Sequence, residues 1–224
     1  MNTIEQSLRI LSVIALAVLV VACGKKEAGD DASLASALES QAPFCTYPIT
    51  WPADVSADDV SKAADRPTSL GGQLVALERL GLAQSQVATK ENAKLYGGTF
   101  KTEFVRFALT DAGKTVAIAR WPSEAEKGKA RICYAKRKVI GIVEKKDLGK
   151  LNGIPAVQVS YTYQLKDQAP FLSDPLFQQS FPEVAKVLAQ AGTVTCKAVV
   201  KFPEGNEAEV ARTPDGLSDC QGDY

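Results

Sequence analysis

The chain predicts an α+β fold: an antiparallel β-β-α-β-β C-terminal half joined to a smaller N-terminal half of helices and strands. Three observations carry this. Val157, Val159, Tyr161, Tyr163 and Leu165 alternate with Gln158, Ser160, Thr162 and Gln164, the period of a half-buried antiparallel strand. Phe181, Val184, Val187, Leu188 and Ala191 recur at the spacing of one helical face. Strand-like runs flank these two elements, Arg131 to Val143 before them and Thr193 to Phe202 after. Glu207 to Arg212 is placed to pair with the last strand through the turn Pro203-Glu204-Gly205-Asn206.

The N-terminal half reads in the same way. An apolar stretch, Pro43-Phe44-Cys45-Thr46-Tyr47-Pro48-Ile49-Thr50-Trp51, opens the folded part. Ser56 followed by Ala57-Asp58-Asp59 is a capped helix start with acids in its first turn, and Pro67 stops it. Leu70, Leu74 and Leu77 set a helix over 70–80 with Gly81 at its C-terminal cap. Thr99 to Thr110 is strand-like, Asp111-Ala112-Gly113-Lys114 reads as a turn, and Thr115 to Trp121 as a further strand. The expected units are residues 43–125 and 126–224. Leu77-Glu78-Arg79-Leu80-Gly81-Leu82, with Leu109-Thr110-Asp111-Ala112-Gly113-Lys114 further on, resembles the helix end and wing of winged-helix domains. Here that resemblance implies a packing scaffold, because fold does not carry function with it.

Ahead of both halves stands an address. Arg9 is followed by the apolar run Ile10 to Val21, shorter than the ~20 apolar residues a spanning helix needs, and it ends at a small residue before Cys23. The run Val20-Val21-Ala22-Cys23 resembles the lipobox of bacterial lipoproteins. The resemblance implies removal of residues 1–22 as a signal peptide, acylation of Cys23, and anchorage in the bilayer by chains that each contribute ~0.8 kcal/mol per buried methylene. In that family Asp after the Cys retains the protein in the inner membrane; Gly24 here implies the periplasmic face of the outer membrane. Residues 23–42, rich in Ala and Ser and without aromatics before Phe44, read as a flexible tether. Cys133-Tyr134, Val159-Ser160-Tyr161-Thr162-Tyr163 and Phe181-Pro182 also resemble a group of proteobacterial envelope lipoproteins of unassigned function.

An oxidising compartment turns the remaining cysteines, Cys45, Cys133, Cys196 and Cys220, into a disulfide framework. Three connectivities are open. A hairpin through 203–206 would return the chain past Cys196, which favours Cys196–Cys220 with Cys45–Cys133.

Composition excludes more chemistry than it supplies. There is no His, and 26 Lys or Arg balance 26 Asp or Glu. A Ser-His-Asp triad, a Cys-His pair and a His-bearing zinc site are out of reach, and the excess of positive charge expected of a nucleic-acid binder is missing. Gly113-Lys114-Thr115 imitates the end of a phosphate loop, but Ala108 stands where its first glycine belongs. No cofactor, metal or catalytic set is expected, so the chain reads as no enzyme; the alternative is a hydrolase of the envelope working through carboxylates. One charge cluster stands out. Lys136, Arg137 and Lys138 on the first strand of the 131–165 hairpin, with Lys145, Lys146 and Lys150 in its turn, form a candidate patch for an anionic partner or a lysine-protected sheet edge. The expected partners are the lipid bilayer through Cys23 and another envelope protein.

Overall fold

A computed structural model describes residues 29–93, 97–118, 128–204, 207–211 and 220. The expected signal peptide, residues 1–22, and Cys23 and Gly24 lie outside the described residues. The protein is α+β, with two antiparallel sheets.

The larger sheet is organised on one long hairpin. β7 (Lys129–Leu151) and β8 (Ile154–Lys166) pair along most of their length and turn at Asn152-Gly153, both at positive φ, the conformation that tight two-residue hairpin turns demand. β9 (Cys196–Lys201) pairs with β8, and β10 (Glu209–Val210) with β9. β1 (Phe44–Cys45), β2 (Ile49–Thr50) and β6 (Ala117–Ile118) all pair with the first third of β7. The expected boundary at 125/126 is therefore no line of separation: strands from the first unit complete the sheet of the second. One hydrophobic core runs through both.

The smaller sheet has the order β3-β5-β4, from β3 (Ala53–Val55), β4 (Ala83–Ala93) and β5 (Thr99–Leu109). Between β3 and β4 come α2 (Ala57–Ser61) and α3 (Leu70–Arg79). Ser56 and Ser69 cap them by accepting the Asp59 and Gly72 N–H groups, and Gly81, at φ 71°, ends the second. Both helices stand where their caps place them.

Three expectations need correction. Residues 31–42 are not tether: α1 (Asp31–Glu39) begins at Asp30, whose carboxylate accepts the Ser33 N–H, and Leu34, Ala37 and Leu38 are buried at i, i+3 and i+4. Two leucines on one face were enough to dock a helix that lacks aromatics. Asp111–Lys114 is not a turn but the start of α4 (Asp111–Val116), because the Thr110 hydroxyl accepts the Gly113 N–H and nucleates the helix. Of the strand expected over 115–121, Thr115 and Val116 belong to α4, 117–118 form β6, and 119–121 lie outside the described residues. The helix expected over 181–191 is α6 (Pro182–Gln190), and a shorter helix that the pattern did not announce, α5 (Pro175–Ser180), precedes it; each is opened by proline, which suits the first turn.

Candidate functional site

The cysteines pair as Cys45–Cys133 and Cys196–Cys220. The first closes a sequence separation of 88 and joins residues directly opposite one another on β1 and β7, with Cα atoms 3.8 Å apart. The second, across 24 residues, ties the C-terminal segment to the start of β9 and buries both partners.

The six basic residues do not form one patch. Strand alternation sends Arg137 to the side opposite Lys136 and Lys138, and it is 4 % exposed. Its guanidinium lies 4.8 Å from the Phe44 ring centroid, 5.5 Å from Tyr163 and 5.9 Å from Tyr161. It donates to the Leu38 carbonyl and to Gln41 Oε1, so a cation sits at the negative end of α1. Burial pushes the Tyr161 hydroxyl above the usual tyrosine range, with Arg137 opposing the shift.

The neighbouring lysines face α1 and the loop after β8. Glu39 accepts from Lys166 at 3.1 Å and from the Val139 N–H at 3.0 Å, and pairs with Lys138 at 3.3 Å. Burial works to raise its pKa, but these three donors together hold it below the ordinary glutamate value. Lys136 pairs with Asp167, and Lys145 with Asp31, both at 2.9 Å. Lys145, Lys146 and Lys150 belong to β7 itself rather than to a turn, since the strand runs on to Leu151. The bulges between Val139 and Gly141, Ile142 and Glu144, and Asp147 and Lys150 are what the sequence pattern could not announce. Of the five lysines in this set, Lys146 and Lys150 make no ion pair among the described residues, and Arg137 is held by neutral acceptors.

Two other surfaces carry features that sequence reasoning did not single out. A shallow groove of about 460 Å³ is lined by Pro48, Ile49, Thr50, Pro52, Ala53, Asp54, Leu70 and Lys129. Leu70 is 45 % exposed there, and Tyr47, the residue before Pro48, is 48 % exposed. The Tyr47 N–H donates to Glu183 Oε1 on α6 at 3.4 Å, and burial raises the Glu183 carboxyl above its ordinary pKa despite that hydrogen bond. The Trp51-Pro52 peptide bond at the groove is cis. The second surface is the β4–β5 arm, which outruns β3: β3 pairs only with 105–107, so beyond it the arm is a two-stranded projection bearing exposed Phe100, with exposed Val87 at its base opposite Val105. At its base Arg106 forms a bidentate pair with Asp54, both contacts 2.7 Å, which holds the Asp54 carboxyl below its ordinary pKa.

Neither the groove nor the depression on the outer face of the arm, lined by Gln84, Ser85, Gln86, Arg106 and Ala108, brings two carboxylates together. Among the described residues no group of three or more Cys, Asp or Glu side chains is placed to hold a metal ion. No family model, curated protein or solved structure matches the chain.

Proposed function

We propose that this is a non-catalytic lipoprotein of the bacterial outer membrane, anchored on the periplasmic face by acylated Cys23, whose folded domain binds another envelope protein through the Pro48–Leu70 groove. The groove carries the reading. Tyr47 and Leu70 expose large apolar side chains beside an apolar floor, and exposed clusters of that kind serve association more often than solubility. Aromatic anchors in apolar surroundings are also the commonest sources of binding energy at interfaces. A carboxylate-dependent hydrolase would need two acids ~5 to 10 Å apart in a cleft. Asp54, the one acid in the groove, is engaged by Arg106.

The strand order β3-β5-β4, the two helices between β3 and β4 and the long hairpin support a winged-helix-like arrangement. In it α3 packs on α5, and Gln73 Nε2 donates to the Ser180 carbonyl, so the helix that reads DNA in that family is covered. This supports a scaffold role.

The test is a photo-crosslinking residue placed at Tyr47, at Leu70 and, as a control, at exposed Gln168 in the acylated protein in intact envelopes. A discrete adduct from the two groove positions and none from Gln168 is the expected result. Equal adducts at all three, or hydrolysis of envelope material by the purified protein that Glu183→Gln abolishes, would overturn it.

A further inference from the structure

Where the chain enters the fold defines which end of the molecule meets the membrane. Gly29 and Asp31 lie at the far end of the β7–β8 hairpin: Lys145 Nζ donates to Asp31 Oδ1 at 2.9 Å and to the Gly29 carbonyl at 3.4 Å, and a Cβ on Gly29 would stand 3.8 Å from Val157 Cγ2. Only residues 24–28 separate Gly29 from Cys23, so covalent geometry limits the two Cα atoms to about 22 Å. From Val157 the hairpin runs on to its turn at Asn152-Gly153, about 13 Å further at the rise of a strand. An anchor at Cys23 therefore keeps the hairpin end within touching distance of the bilayer. Lys129, in the groove, stands at the opposite end of β7.

The composition of that end suits a lipid surface. Leu151 is 37 % exposed, Leu148 and Ile154 are half-buried, and Lys146 and Lys150 are exposed and uncommitted. Of the nearby acids, Asp31 is paired with Lys145; Asp30, which caps α1, and Asp147, which accepts the Gly149 N–H at 2.7 Å, keep their charge, as does exposed Glu144. A lipid contact here is therefore made by the two ammonium groups at close range and not by a net positive field. Lysines whose stems lie on apolar side chains while their ammonium groups reach lipid phosphates are the usual pattern of interfacial contact.

Building on the acylation reading above, we propose that the tip of the β7–β8 hairpin, Lys146 to Ile154, rests on the bilayer as a second, non-covalent contact. Its leucines enter the headgroup region and its two lysines meet lipid phosphates. This orients the domain with the groove away from the membrane.

The experiment uses the full acylated chain in vesicles of phosphatidylethanolamine and phosphatidylglycerol. The four folded-domain cysteines are disulfide-bonded and Cys23 is acylated, so a single introduced Cys takes an environment-sensitive fluorophore. Leu151→Cys and Lys150→Cys are expected to shift to the blue and to be quenched by spin-labelled lipid, whereas Val87→Cys on the arm is not. The paired change Lys146→Ser with Lys150→Ser lowers the quenching of a label at 151 in these vesicles and leaves acylation unchanged. Labels at 150 and 151 that behave like the one at 87, in protein whose mass shows acylated Cys23, overturn the hairpin contact alone. Protein that leaves its host with an unmodified N-terminus overturns the acylation reading, and the contact with it.

Discussion

The two sheets use similar residues to opposite ends. In the larger one, Arg137 is turned inward among three aromatic rings, Glu39 is largely covered between the more exposed Lys138 and Lys166, and both disulfides belong to it. In the smaller one the principal ion pair, Asp54–Arg106, is open to solvent, and Val87 and Phe100 stand exposed on an arm with one free strand edge. One region makes a buried cation part of its own cohesion; the other leaves its principal ion pair in solvent. The same residue type, arginine, is structural in the first and superficial in the second. Counting charges along the sequence cannot tell them apart, because burial decides the energy of each.

That contrast can be broken at its strongest point first. Replacing both Cys45 and Cys133 by Ala should lower unfolding free energy by about 4 to 5 kcal/mol, and the Cys196/Cys220 pair by about 3 to 4, since the longer loop frees more denatured-state entropy. Urea unfolding of the two double variants checks the order. Arg137→Ala should cost about 3 kcal/mol, because it removes a buried cation from its rings and from the carbonyls at the end of α1. Arg106→Ala should change stability far less, the exposed pair being screened by solvent. Equal losses would erase the distinction between the regions.

Gly113→Ala should cost about 1 to 3 kcal/mol, measured by the same unfolding. A Cβ there would stand 1.9 Å from the Leu82 carbonyl oxygen, so backbone must move. The smallest effects are in pH dependence. Glu39 has a lowered folded pKa, so its contribution is present above the ordinary glutamate value and is lost as pH falls through the lowered one. Glu183 has a raised folded pKa, so its contribution is present below the ordinary value and is lost as pH rises through the raised one. Glu39→Gln should flatten the acid side of the stability profile, and Glu183→Gln should remove the decline just above it.

Much of the fold was legible because local chemistry and tertiary structure agree. The alternation of 157–165, the caps at Ser56 and Ser69, and Gly81 each state a local preference that the fold keeps. Cys196 and Cys220 were readable from a hairpin between them, and that hairpin is β9–β10. What misled was composition standing in for pattern. The Ala and Ser of 31–39 suggested disorder, while Leu34 and Leu38 on one face carried the docking. The run Lys136-Arg137-Lys138 suggested one patch, although a strand must send its middle residue the other way. β4 is mostly polar, without apolar alternation, and its pairing with β5 rather than its side chains makes it a strand. The groove gathers residues from β2, β3, α3 and β7, a grouping that no local pattern contains.

The proposed anchor at Cys23 is tested directly by the intact mass of the protein taken from envelopes of a Gram-negative host. The predicted result is a chain that begins at Cys23, lacks Met1 to Ala22, carries two disulfides and exceeds its peptide mass by a diacylglyceryl group and one amide-linked acyl chain. A chain retaining Met1, or one cleaved elsewhere with an unmodified N-terminus and washed from the membrane by salt, would contradict it.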